Sequence, residues 1–410
     1  MSIRVFSLSL PVMAASTALL VAGPIGQGPA EGAAGVAPAQ AEPTLVVATD
    51  GSDGNPGTLA QPLKTIQRAV DLAAPGDVIA IRGGTYPLSA QNIRILHSGA
   101  EDMPITMTNY QNERVVIDGE ALPASHTPVG GSIPREQRGA IHQEASYWHV
   151  IGLEIVNGPY AYYCDGCDHN VFERLSTHDN YESGFQLQGA SADNQIINLD
   201  SYANHDPRKN GESADGLAIK EGSGAGNIVR GARLWNNVDD GFDAWEFLSP
   251  ITIEDSLAWG NGYNRWDFPD FQGDGNGFKL GGGDEAAPAG HTVRNSMAFN
   301  NAAGGFVDNG NPGAMTVAHC TAYRNEKTGF LLDRSASTAT ANLAVGNGTD
   351  ASLGSSSGVG NSWDIGGTWD DSVLRSTDPS VITGQRGPGG DIPSSDFLVP
   401  NNGVDVGARI

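Results

Sequence analysis

The sequence predicts an all-β chain wound as a solenoid of stacked parallel strands, with a short helix capping its N-terminal end. Three observations carry this. The 410 residues include 55 glycines and few long apolar helical patterns, which suits many short strands joined by tight turns. An asparagine closes a strand-like segment repeatedly, at Asn180, Asn204, Asn237, Asn261, Asn301, Asn325 and Asn347, with separations of 24, 33, 24, 40, 24 and 22 residues. The tripeptides Asp-Gly-Leu at 215–217, Asp-Gly-Phe at 240–242 and Asn-Gly-Phe at 276–278 look like one position of a coil seen three times. A recurring interval near 24, with excesses in two places, reads as a coil of constant length carrying insertions on one side.

In chain order, residues 1–41 read as an export signal. Arg4 supplies a charged start, residues 5–22 an apolar run broken by Pro11, and Ala39-Gln40-Ala41 a small-residue cleavage site. A secreted product beginning near Glu42 is expected. No later stretch is long enough to be a membrane span. Residues 42–90 are assigned to the cap and first coils. There Ile66, Ala69, Val70 and Ala73 repeat at helical spacing between Pro62 and Pro75-Gly76, and residues 78–81 follow as a buried strand. A helix in this place would cover the apolar end of the first coil. Residues 91–365 form the body, with strand-like runs at 105–108, 115–117, 148–156 and 171–172. Past Asn347 the pattern weakens. Residues 358–366 read as one more coil and 366–410 as an irregular closure whose final apolar runs pack back along the coil.

The repeated asparagine has a structural use, because its amide can bond the turn backbone and the amides above and below it. The aromatics Phe242, Phe278, Phe306 and Phe330 read as a core stack. Of the three cysteines, Cys164 and Cys167 either close a small disulfide or stay as buried thiols, and a lone pair at this spacing is no zinc site.

The formal charge of −24 and pI near 4.5 argue against nucleic acid as a partner, since no basic patch exists to hold phosphates. Asp239, Asp240 and Asp243 set three carboxylates within five residues, a repulsion that a divalent cation relieves. Oxygen-only ligands favour a hard ion, calcium before magnesium. Aligning the three tripeptides puts Asp215 beside Asp240 and Lys279 beside Asp243, about 4.8 Å apart if the strands are parallel and in register. The competing readings are a solvated acidic turn or a structural ion for the aspartates, and a simple salt bridge to Asp243 for Lys279. The insertions at 205–214 and 262–277 flank this cluster, where loops on a rigid scaffold would build a cleft. Arg208, Lys209, Lys220 and Arg265 lie in or beside them and would clamp carboxylates or serve as surface charges. Tyr263, Trp266 and Phe268 would stack on sugar rings or pin the loop that carries them. His178 and His205 read as turn residues.

The blocks NHDPRKNGESADGLAIK, NNVDDGFDAW, LAWGNGY and GDGNGFKLGGG, in that order between Asn204 and Gly283, resemble polysaccharide lyase family nine. The N-terminal run from Asp50 to Tyr86 and the later MAFNNAAGGF and CTAYRNEKTGF are similar to the same group. The resemblance implies a right-handed, single-stranded parallel β-helix and a calcium-dependent lyase acting on an acidic polysaccharide such as pectate; a monomer is expected. It further implies that Asp215, Asp239, Asp240 and Asp243 bind Ca2+ and that Lys279 is the base. The insertion at 263–274 is longer and more aromatic than the family pattern. A lyase for rhamnogalacturonan or another uronan is the alternative within the same class, and two other classes compete: a glycoside hydrolase using paired aspartates, and a noncatalytic carbohydrate-binding β-helix.

Overall fold

A computed structural model describes residues 42–283 and 288–410. The expected export signal at residues 1–41 lies outside them. Among the described residues the strands form three parallel sheets of 12, 10 and 10 strands. Each coil contributes one short strand to each sheet, so the chain climbs in register rather than folding back. In the 12-stranded sheet, for example, Val171–Glu173 pairs with both Trp148–Ile151 and Gln195–Ile197.

The core fills the space between the three sheets. One row of the first ten-stranded sheet points inward: Phe185, Leu217, Phe242, Phe278, Phe306 and Phe330 are successive partners, all fully buried. The Phe278, Phe306 and Phe330 rings stack at 5.0 Å steps. At strand period two, the next residue in each strand faces outward.

The asparagines turn one corner of the successive coils from Asn180 to Asn347, and Gly158 holds that corner in the coil before them. Each side-chain amide from Asn180 to Asn325 donates to the Oδ1 of the asparagine in the next coil, at 2.8 to 3.1 Å. A second ladder, Asn170–Asn194–Asn227, turns another corner at 3.0 Å steps. Inside a dry core each such amide would otherwise be an unpaired polar group.

The helix Ile66–Leu72 forms as its periodicity predicts, capped by the Thr65 hydroxyl and burying Ile66, Ala69 and Val70. It packs against the strands Leu45–Val47, Val78–Ile81 and Ile93–Ile95. Residues 148–156, which read as one strand, are two. Gly152 at φ +67° breaks the run, so that Trp148–Ile151 and Glu154–Val156 enter different sheets. Cys164 and Cys167 form a disulfide. The C-terminal segment carries a 3-10 turn at Asp371–Val373 and the short helix Ser380–Thr383, and covers an outer face of the third sheet, with Leu374, Phe397 and Leu398 against Phe299, Tyr323 and Leu343.

Candidate active site

The outward row of the same sheet builds the site. Leu217 pairs with Phe242 and Phe242 with Phe278, so Asp243 lies directly beside Lys279, the register that the three tripeptides predict. Asp215 and Asp240 sit two residues before the inward Leu217 and Phe242, at the turn entering each strand. Strand pairing thus gathers groups 64 residues apart in the chain, from Asp215 to Lys279, into one patch.

The patch is dry and crowded with charge. Asp215, Asp239, Asp240 and Asp243 are at most 2% exposed and Lys279 7%. Single carboxylate oxygens of Asp215, Asp240 and Asp243 lie within 4.8 Å of one another, and Asp239, Asp240 and Asp274 form a second such group. Two lysines neutralise them. The Lys220 ammonium donates to Asp215 Oδ2 at 2.8 Å and Asp243 Oδ2 at 3.1 Å. Lys279 Nζ lies 2.9 Å from Asp274 Oδ2, 3.1 Å from Asp240 Oδ2 and 3.9 Å from Asp243 Oδ1.

Backbone and side-chain donors fix the carboxylates. Asp240 Oδ1 accepts from the Asn276 N–H at 2.6 Å and its amide at 3.0 Å. Asp239 Oδ1 accepts from the Asp274 N–H at 2.6 Å, Asp243 Oδ1 from the Trp245 N–H at 3.0 Å, and Asp215 Oδ2 from the Ser183 hydroxyl at 3.3 Å.

Burial pushes the Asp215 carboxyl up to about 6, with the Asp243 charge adding to it against the pull of Lys220. Burial pushes Asp240 up to about 7 against the pull of Lys279, and burial with the Asp240 charge holds Asp239 well above the carboxylate range. For Lys279, burial disfavours the charged form, but Asp240, Asp243, Asp239 and Asp274 outweigh it and hold the amine above its ordinary value. Lys220 is raised in the same way by Asp215 and Asp243. An all-oxygen donor set, buried and over-supplied with negative charge, is the chemistry a hard divalent cation takes. The residues present fit calcium.

The sequence did not single out Asp274 or Asn276. Both stand in the GDGNG run just before Lys279, and the signal was there in the acidic residue five positions ahead of the base. The charged candidates divide. Lys220 belongs to the acidic cluster. Arg208 is committed to the buried Glu182, with Nε 2.8 Å from Glu182 Oε1 and Nη1 3.0 Å from the Gly131 carbonyl. It ties one inserted loop to residues 127–139. Lys209 donates to the Ser213 hydroxyl at 2.9 Å and keeps 39% of its side chain exposed.

The 263–274 insertion is held by its own aromatics. The Tyr263 hydroxyl donates to Glu326 at 2.9 Å, and Arg265 lies 5.2 Å over the Tyr263 ring while donating to Asn236. Trp266 stacks on His205 at 5.2 Å. These contacts pin the loop along the asparagine corner and deliver Asp274 to Lys279.

The sequence matches the family described as Pel9A-like, right handed beta helix region over residues 45–346. The chain belongs to that family. Its coil is therefore the right-handed parallel β-helix of the Pel9A-like group. Among curated proteins it is 47% identical to pectate lyase PEL9 of Emericella nidulans over 392 residues, covering 90% of this chain and 95% of that one. It is 36% identical to pectate lyase L of Dickeya chrysanthemi over 285 residues, spanning 68% of this chain and 64% of that protein. The crystal structure of pectate lyase Pel9A superposes with a TM-score of 0.77 at 30% identity, covering 89% of this chain and 91% of the other. The in-register parallel pairing of this coil explains why Asp243 and Lys279 meet without any helix or long loop to position them.

Proposed function

We infer that this chain is a pectate lyase, exported and calcium-dependent, that cleaves polygalacturonate by β-elimination with Lys279 as the base. The observation that carries the reading is the in-register pair Asp243–Lys279 on the outer face of one sheet, with the Lys279 ammonium among Asp240, Asp243 and Asp274.

The substrate's C5 proton is adjacent to a carboxylate and too weakly acidic to leave unaided. Calcium held by Asp215, Asp240 and Asp243, with Asp239 beside them, would supply positive charge for the carboxylate on which negative charge develops. The protein's own groups do the remaining work. Lys279 Nζ, once unprotonated, takes the C5 proton. The C–H electrons form the C4–C5 double bond, the C4–O4 bond breaks, and the departing oxygen takes a proton from water or a neighbouring acid. Asn276 and the Trp245 N–H hold the Asp240 and Asp243 carboxylates in place throughout. The Asp274 carboxylate keeps the Lys279 side chain turned toward the cluster. Lys279 is fully charged while Asp240 and Asp243 remain unneutralised, so proton abstraction depends on those carboxylates being engaged elsewhere.

A hydrolase would place an acid and a base carboxyl across a glycosidic bond, whereas here every aspartate of the cluster is tied to a lysine or a backbone N–H. The test is a panel of uronans incubated with and without chelator and read where unsaturated uronates absorb. Chelator-sensitive ultraviolet absorbance from polygalacturonate is expected. Chain shortening without that absorbance would replace the reading with hydrolysis.

A further inference from the structure

On the same outer face, adjoining the acidic cluster through Lys220, lies a cavity of about 150 Å³ lined by Arg138, Gln186, Arg208, Lys209, Lys220 and the carboxylate Glu221, which accepts from the Gln188 amide, among others. It is a cationic spot on a chain of net charge −24. Arg208 and Lys220 are already engaged, Arg208 by Glu182 and Lys220 by Asp215 with Asp243. Arg138 is different. It makes no ion pair among the described residues. Its guanidinium lies 5.5 Å over the Tyr163 ring and donates from Nη1 to the Tyr163 hydroxyl at 3.0 Å. Its Nε is buried without an acceptor, and Gln186 Oε1, on a side chain 2% exposed, is buried without a donor. The wall is stiff, because the Tyr163 hydroxyl and the Gln186 amide both donate to Gln188 Oε1 at 2.7 Å.

An unsatisfied cationic donor and an unsatisfied acceptor on residues lining one cavity fit a ligand that offers a carboxylate and a hydroxyl together, and every uronate does. Tyr163 shares the outward row with Lys279, through Gln186, Ala218 and Asp243. Four strand steps of about 4.8 Å put the two about 19 Å apart along the sheet.

We propose that this cavity is a remote carboxylate subsite of the cleft. Arg138, with Lys209 at the lip, binds the carboxylate of a uronate distant from the cleaved linkage, and Gln186 accepts from one of its hydroxyls. The proposal rests on the lyase reading for the identity of the polymer. Planar, always-charged Arg is suited to such a grip.

The test is equilibrium binding by titration calorimetry in the calcium-loaded Lys279→Ala background, with saturated hexagalacturonate and its methyl ester as probes. Arg138→Gln is expected to weaken the acid about tenfold and the ester less than about twofold, with Arg138→Lys recovering part of the loss. Lys209→Gln should weaken the acid by a smaller factor, and it stands in should Arg138→Gln not fold. Unchanged affinity for the acid, or equal losses for acid and ester, overturns the subsite. Those results leave the lyase reading to the product assay on the unmodified chain, so the two failures are distinct.

Discussion

The Lys279 ammonium lies 3.1 Å from Asp240 Oδ2 and is held there by strand register. A base so placed is protonated until its carboxylate neighbours are occupied, since Asp240, Asp243, Asp239 and Asp274 together raise it. Activity at saturating calcium should therefore climb with pH across the neutral and alkaline range, about tenfold per pH unit until the amine titrates. Initial rates from pH 6 to 10 on polygalacturonate check this. A flat profile counts against Lys279 as the base.

Lys279→Ala removes the proton acceptor but leaves the ligand carboxylates. Loss of roughly 10²–10⁴-fold in kcat is expected, with calcium binding retained. Wild-type turnover by a folded, calcium-binding variant would refute the assignment.

Lys220 and calcium compete for the same oxygens, because its ammonium lies 2.8 Å from Asp215 Oδ2 and 3.1 Å from Asp243 Oδ2. Lys220→Met should tighten calcium binding, by roughly 5–150-fold if the coupling has the usual size of such linkages, and should lower the stability of the chelated protein. Calorimetry and thermal melts in chelator read both. The opposite order of calcium affinity would show that Lys220 supports the site rather than competing for it.

Glu182, the residue before Ser183, provides a pH-linked stability test. Burial, aided by the Asp206 charge and opposed by Arg208 and Lys209, pushes its carboxyl up to about 8. Its folded value exceeds its unfolded one, so the folded state binds the proton more tightly. That contribution is fully present below about pH 4.3 and is lost as pH rises through 8. Glu182→Gln should flatten this slope, seen as a smaller fall in melting temperature between pH 5 and 8. An unchanged slope would mean that Glu182 stays ionised beside Arg208.

Asn237 sits mid-ladder, donating to Asn261 Oδ1 at 3.1 Å and accepting from Asn204 at 2.8 Å. Asn237→Ala strands both neighbours in a dry corner, a cost of about 2–4 kcal/mol. Denaturant melts should show it, with activity falling only as the folded fraction falls.

Much of this molecule was legible because its coil repeats. The asparagine spacing gave the corners, and the Asp-Gly-Leu, Asp-Gly-Phe and Asn-Gly-Phe alignment gave the register. From those two, the neighbours Asp215, Asp240, Asp243 and Lys279 follow before any coordinates. Residues 148–156 misled as a single strand, because a buried coil keeps its apolar run across a corner and only Gly152 marks the bend.

The sequence by itself determined the stacked β architecture, the acidic patch and the lysine within it, since strand pairing converts a fixed repeat into fixed neighbours. Only the tertiary structure decided that Asp274 returns to Lys279, that Lys220 joins the carboxylates, that Arg208 is spent on Glu182 and that Arg138 faces a cavity beside Gln186. Asp274, Arg208 and Arg138 come from segments between strands, whose paths follow side-chain packing across coils, while Lys220 and Gln186 stand on strands and meet their partners through side-chain reach that no period in the chain encodes.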